Sequence, residues 1–305
     1  MSGDQLHVSE EVGAALGARR AVVALETTIV AHGFPAGEGR EVGQECERRI
    51  RDGGAVPATV AVLDGAVHVG LSGEQLERVA AAGASARKVG PRDLAACVVH
   101  GDVGATTVGG TLAACRLAGI PFMATGGIGG VHRGLAERLD VSADLAELAR
   151  SEVLVVCSGA KSLLDVPATA ELLETLGVPV LGWRTDELPL FYEARGGPSV
   201  SARVDSAEEA ALIAHAHWRL GRGTALVLAR PPDPELAGSE ALVEEALAAA
   251  RREGVSGQAL TPFVLSHLHE RSGGRTLEVN RRLAADNASL AAEVATAYCA
   301  LGPAS

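Results

Sequence analysis

The chain has 305 residues, 47% hydrophobic and 21% charged, enough to bury a large core and too apolar for a disordered polymer. A net charge of −11 with no basic cluster excludes nucleic-acid binding through a basic footprint. Of the 27 Lys and Arg residues, 25 are Arg, and the only lysines are Lys88 and Lys161. Those two positions invite the question of what a guanidinium cannot do, namely lose its proton and attack an electrophile.

Short apolar runs alternate with amphipathic segments along the chain. In order, the pattern predicts strand Ala21–Leu25, helix Gly39–Asp52, strand Thr59–Leu63, helix Gly73–Ala82, strand Ala96–Val99 and helix Thr111–Ala118. Strand Pro121–Ala124, helix Ala143–Arg150, strand Val153–Cys157, helix Ala168–Leu176 and strand Val178–Leu181 follow. Helix Ala207–Leu220, strand Ala225–Leu228 and helices Ser239–Arg252 and Arg282–Leu301 complete the set. Strands that lack clean alternation and feed helices read as an α/β fold, three-layer α/β/α around a largely parallel central sheet. No linker interrupts the pattern, Pro231–Gly238 being a loop between resumed elements, so residues 1–305 are expected to form a single domain. Five scattered cysteines without a C-x-x-C pair suit reduced thiols, and a polar start without an apolar segment suits a cytoplasmic protein that enters no membrane.

In such sheets ligands gather where strands end and helices begin. Strand Ala21–Leu25 ends in Glu26-Thr27-Thr28 and Ala31-His32-Gly33. A carboxyl there is partly desolvated, which raises its pKa and suits a general acid; the same Glu could cap a turn or pair with an Arg. Gly104-Ala-Thr106-Thr107-Val108-Gly109-Gly110-Thr111 and Thr125–Gly134 are dense enough in glycine to bring backbone N–H groups to an anion, or are only turns. Neither satisfies the dinucleotide or Walker pattern. Ser142 reads as a helix N-cap, and Asp140 outside that helix could take a hard cation through oxygen or water, or be a solvated loop carboxylate. Val153–Cys157 delivers Ser158-Gly159-Ala160-Lys161-Ser162, placing Lys161 just past a buried strand, where desolvation activates an amine for Schiff-base chemistry. A snorkelling surface lysine is the alternative, but it does not explain why Arg was not used. Lys88 lies in the basic stretch Ala86–Arg92 and could simply hold an anion. The histidine pairs at 215/217 and 267/269 are split across a helix, and the eight Phe, Tyr and Trp are too few for an aromatic nucleobase platform.

Leu25-Glu26-Thr27-Thr28, Ala31-His32-Gly33, Val56-Pro57-Ala58-Thr59, Lys88-Val89-Gly90, Gly104–Val108, Thr125–Gly134, Asp140–Leu145, Ser158–Asp165, Thr185–Pro189 and Thr261-Pro262-Phe263 occur in one order. Together they resemble the pseudouridine-5′-phosphate glycosidase family, the indigoidine-synthase-A-like proteins, from about Leu25 to Ala295. The resemblance implies an α/β/α homotrimer with a divalent metal, typically manganese. It implies reversible cleavage of the C–C glycosidic bond of pseudouridine 5′-phosphate to uracil and ribose 5-phosphate. Carried over by position, Lys161 would be the Schiff-base nucleophile and Glu26 the proton donor, with Asp140 holding the metal. Lys88, Val108 and Ser142-Ala143-Asp144 would contact substrate, with Thr125, His132 and Asn280 as further candidates. The chemistry accounts for the lysine: paired carboxylates can expel an oxygen leaving group, whereas a carbon leaving group needs an electron sink, and Arg forms no imine.

The chain departs from the family where Gly33-Phe34-Pro35 continues as Ala36-Gly37-Glu38 instead of x-Pro-x-Asn, at Thr27 for Ser, at Val108-Gly109-Gly110-Thr111, and at Asp286-Asn287-Ala288 for Asn-Asn-Ala. These changes put uracil more in question than ribose 5-phosphate. A synthase joining ribose 5-phosphate to another aromatic acceptor in secondary metabolism is therefore a rival reading. A non-catalytic phosphosugar-binding protein is a third.

Overall fold

The computed structural model describes residues 5–35, 37–134, 139–255 and 260–302, the side chains of 261 and 262 excepted. Ala36 and the side chains of Thr261 and Pro262, singled out above, lie outside the described residues. The elements run β1 (Leu6–Val8), α1 (Glu10–Gly17), β2 (Val22–Leu25), α2 (Thr28–His32), α3 (Glu38–Asp52), β3 (Val56–Leu63), β4 (Ala66–Val69) and α4 (Gly73–Ala82). Next come β5 (Arg87–Val89), α5 (Leu94–His100), β6 (Gly104–Thr106), α6 (Val108–Ala118), β7 (Phe122–Ala124), β8 (Val131–His132), α7 (Ala143–Leu148), β9 (Leu154–Cys157) and β10 (Leu164–Asp165). The chain ends with α8 (Val166–Thr175), β11 (Val180–Trp183), β12 (Ala202–Val204), α9 (Ala207–Arg219), β13 (Leu226–Ala229), α10 (Ser239–Arg252), α11 (Leu260–Arg271) and α12 (Arg275–Ala300).

The central sheet has the order β1-β4-β3-β2-β7-β9-β13-β11-β12, with β6 joining β3 to β5. From β3 to β12 every neighbour is parallel; only β4 and β6 run against β3. Alternate residues explain the layering. Val22, Ala24, Met123, Val155, Val227 and Ala229 join one apolar cluster with α1, α6 and α8. Val23, Leu25, Phe122, Ala124, Leu154, Val156, Leu226 and Leu228 join the other with α3, α9 and α12. A strand covered on both faces shows no alternation, which is why these runs read as continuously apolar. The three-layer expectation stands.

One predicted strand is a helix. Ala96–Val99 lies within α5, where Cys97 and Val98 are buried and Val99 is 70% exposed. A four-residue apolar run has the same appearance in either state. The strand comes later, at Gly104–Thr106, a stretch read from sequence as a junction. β3 starts three residues earlier than expected because Pro57 is harmless there. Val56 donates to Ala21 on the β2 side, so the Pro57 nitrogen faces the opposite side, where β4 pairs only from Val60 onward.

Candidate active site

The central strands β2, β7 and β9 are adjacent, and their carboxyl ends release Glu26, Thr125 and Ser158 onto one edge of the sheet. Beyond β7 and β9 the two chains stay zipped. Thr125 donates to the Val156 carbonyl at 3.0 Å, Ser158 to Gly126 at 2.9 Å, Ile128 to Gly159 at 3.1 Å, and Lys161 to Ile128 at 3.1 Å. Further on, β8 and β10 pair antiparallel through His132 and Leu164. Arg133 locks the far side, donating to the carbonyls of Ser162 (3.2 Å) and Leu164 (3.1 Å) and pairing with Glu240 at 2.6 Å. Lys161 therefore projects from hydrogen-bonded backbone. Gly129 is needed for this fit, since a Cβ there would stand 2.2 Å from the Ser142 hydroxyl and 2.6 Å from the Asp144 carboxylate.

A cavity of about 120 Å³, open to solvent, sits above this edge. Its polar wall holds Glu26, His32, Lys88, Thr125, Lys161 and Asn280, so five of the residues named from sequence meet there. Its apolar wall is formed by Ile29, Phe34, Leu163, Phe191, Leu265 and Leu283. Two of the chain's four phenylalanines thus face the cavity. Phe191 holds a left-handed backbone (φ 68°), strained for a non-glycine residue. Its ring rests on Gly127, where an added Cβ would approach to 2.6 Å.

Glu26 is 4% exposed and accepts hydrogen bonds from the hydroxyls of Thr125 and Thr28, one on each carboxylate oxygen. Thr125 is held in turn by Asn287 of α12, whose amide donates to the Thr125 carbonyl at 2.9 Å and to the Ser158 hydroxyl at 3.1 Å. Asn287 is fully buried and so joins the loops carrying Glu26's partner and Lys161. Below them, Thr27 donates to the Val60 carbonyl at 2.7 Å and accepts from the Thr106 N–H at 2.9 Å.

Lys88 reaches the cavity from β5, its ammonium in solvent contact but crowded by protein. Burial first, and the Lys161 charge second, pull its pKa below the ordinary lysine range, against the opposing pull of Glu26 and Asp144. His32 Nε2 lies 3.1 Å from the Ala86 carbonyl, which makes that nitrogen the protonated one. Burial above all, with Lys88 nearby, lowers the imidazole's pKa and keeps it neutral.

The remaining predicted residues lie outside this cavity's lining. Val108 is fully enclosed, and Asp144 is 5% exposed with its carboxylate accepting from Gly109 (2.7 Å) and Gly129 (2.9 Å). In this conformation they shape the site by tying α6 to the glycine-rich loop. Ser142 caps α7 through the Asp144 N–H at 3.2 Å, and Ala143 is exposed. His132 and Asp140 are bound to each other through backbone, His132 N–H to Asp140 carbonyl at 2.9 Å. Among the described residues no three His, Cys, Asp or Glu side chains converge. A cation at Asp140 would thus draw one carboxylate oxygen from this chain and complete its shell with water or substrate oxygens, a donor set that fits a hard divalent ion.

Sequence reasoning quoted Asn287, His32 and Phe34 within motifs but assigned them no role, and it passed over Phe191. Asn287 carried a signal: an Asn between Ala-Ala-Asp and Ala-Ser-Leu-Ala-Ala in a helix is a poor helix former, kept for its hydrogen bonds.

The sequence pattern of the indigoidine synthase A-like proteins matches residues 11–297. The chain belongs to the indigoidine synthase A-like family. Among its relatives, the pseudouridine-5′-phosphate glycosidase of Sorangium cellulosum is 47% identical, over 98% of this chain and 95% of the relative. That of Escherichia coli K12 is 45% identical, over 98% and 97%. The crystal structure of prealnumycin C-glycosynthase in complex with ribulose 5-phosphate superposes with a TM-score of 0.90 at 38% identity, covering 98% of this chain and 99% of that one. An indigoidine synthase A-like protein from Thermotoga maritima gives 0.86 at 36% identity, covering 97% and 98%. Family membership matches the expectation drawn from the motifs.

Proposed function

We propose that this protein cleaves and forms the C–C bond between ribose 5-phosphate and uracil, as its relatives' names describe, through a Schiff base on Lys161. The observation that carries the reading is a single cavity lined by Lys161, Lys88 and the buried Glu26. The Lys161 amine attacks the first carbon of the sugar and the ring C–O bond opens, the ring oxygen taking a proton. The nitrogen lone pair then expels the base carbon, which takes its proton from Glu26, and water hydrolyses the resulting iminium to the aldehyde, freeing the Lys161 amine and one proton. Lys88 is the group suited to an anion on the substrate, since its charge stands alone of its sign beside Lys161 at the cavity's polar wall. Thr125 orients the Glu26 carboxyl, and Asn280 offers its carboxamide to the base.

A divalent metal, manganese by the family's habit, would sit at Asp140 and supply positive charge toward the substrate's oxygens. A homotrimer in the cytoplasm completes the reading; the five cysteines, all free, suit a reducing compartment. The apolar wall with Phe34 and Phe191, and the likeness to a C-glycosynthase, favour a second reading in which a larger aromatic replaces uracil. The test is uracil release from pseudouridine 5′-phosphate with manganese, beside borohydride trapping of ribose 5-phosphate and peptide mapping. An adduct on Lys161 with uracil release supports the first reading; an adduct without release supports the second; no adduct overturns both.

A further inference from the structure

Glu26 is the partition between two cavities. In front lies the site with Lys161; behind lies a smaller cavity, also lined by Glu26 and Thr125 and closed by Thr59 and Cys46, with room for about one water. Thr59 stands opposite Leu25 in the β2–β3 register, one residue from Glu26, and is 1% exposed. Its hydroxyl donates to Glu47 of α3 at 2.5 Å. Glu47 is half-buried, so its carboxyl keeps some contact with solvent while accepting from Thr59.

We propose that Glu26 exchanges its proton from behind, by a relay of one water in the rear cavity, the Thr59 hydroxyl and the Glu47 carboxyl. The proposal rests on the role given to Glu26 above. With the substrate in place the front side is closed to bulk water, and protonating the base carbon leaves Glu26 a carboxylate; the matching proton is released to solvent at the front when water hydrolyses the iminium after uracil has left. Glu47 passes one proton through Thr59 and the water to Glu26, then takes one from solvent; in the synthetic direction the proton runs outward.

The electrostatics suit the task. Burial above all raises the Glu47 carboxyl's pKa, so it holds a proton to higher pH than a surface glutamate. The hydrogen bond from Thr59 and the charge of Arg51 on the same helix oppose this, and Glu11 of α1 reinforces it. Cys46, the other titratable group beside it, is pushed up to about 12 by burial and stays a thiol. On the front side Glu26 faces Lys88, Lys161 and His32.

The test compares Glu47→Gln, which keeps an oxygen for Thr59 but carries no proton, with Thr59→Val and Thr59→Ser. For uracil release, E47Q and T59V are expected to lower kcat by about tenfold or more, with KM unchanged. T59S, retaining the hydroxyl, keeps most of the rate. In the unmodified protein kcat falls as pH rises through the Glu47 value, and this limb disappears in E47Q. Borohydride trapping at Lys161 stays at the unmodified level in every variant, because imine formation does not draw on the rear path. Unmodified kcat and pH profile in both E47Q and T59V would overturn the relay. So would loss of trapping together with turnover, which marks Glu47 as structural. Trapping without uracil release in the unmodified protein overturns the reading of the acceptor, and with it the relay as stated.

Discussion

Asn287→Leu removes the amide that joins the loops carrying Thr125 and Lys161 while keeping the side chain's volume. The Thr125 carbonyl and the Ser158 hydroxyl, both buried, lose partners at 2.9 and 3.1 Å. Each stranded polar group costs about 1–3 kcal/mol, and the apolar gain of Leu offsets part, leaving a net loss of about 3 kcal/mol. For a chain of 305 residues that lowers the melting temperature by roughly 5 °C. Activity should fall further than stability explains. Thr125 presents its hydroxyl to Glu26 from the released backbone, and Ser158 begins the stretch that carries Lys161. Calorimetry measures the first effect; uracil release well below the melting temperature measures the second. A melting temperature within 1–2 °C of the unmodified protein would refute the stated energetics of buried partners. Full turnover in a destabilised variant would refute the claim that Asn287 positions the site.

Lys161→Arg keeps the charge but forms no imine, so borohydride trapping and uracil release should both vanish while ribose 5-phosphate still binds; calorimetric titration reads the binding. Lys88 has a lowered pKa, so its ammonium is present below that value and is lost as pH rises through it. KM for the phosphosugar should therefore climb at a lower pH than an ordinary lysine would cause, and Lys88→Arg should remove the climb. Chelation should reduce turnover of the reloaded protein and lower its melting temperature only slightly, because Asp140 is the chain's only carboxylate assigned to the ion and lies in a half-exposed loop. A fall of the melting temperature beyond about 5 °C would mean a structural metal.

The parallel core was legible because β2, β7, β9, β11 and β13 are apolar on both faces and feed amphipathic helices. α5 was not, since four apolar residues fit either state until neighbouring elements decide which is buried. The short strands β1, β5, β8, β10 and β12 were not visible either. They contain polar residues such as His7, Arg87, His132 and Arg203, and are strands through pairing, not composition. Within the site, Glu26 and Lys161 were legible as unusual residue types at strand ends. His32 was not, because its place in the cavity comes from α2 packing under the loop before β5.

Lysine usage ties these threads together. Both lysines line one cavity, and the positive charge of Lys161 acts directly on Lys88. A guanidinium at position 88 would remain charged beside Lys161 at every accessible pH. That permanent charge would bias the neighbouring amine toward its neutral, nucleophilic form but would hold an anionic substrate equally tightly before and after reaction. A lysine with a lowered pKa loses its charge at a lower pH than an ordinary lysine does, and so loosens its grip on an anion toward alkaline pH. Under the proposed chemistry the two lysines are one arrangement: Lys161 needs an amine to form a bond, and Lys88 keeps a charge that alkaline pH removes. Lys88→Arg tests the second half, since it should keep ribose 5-phosphate bound at alkaline pH, where the unmodified protein loosens it. Equal loosening in the two proteins would refute that role for the Lys88 charge.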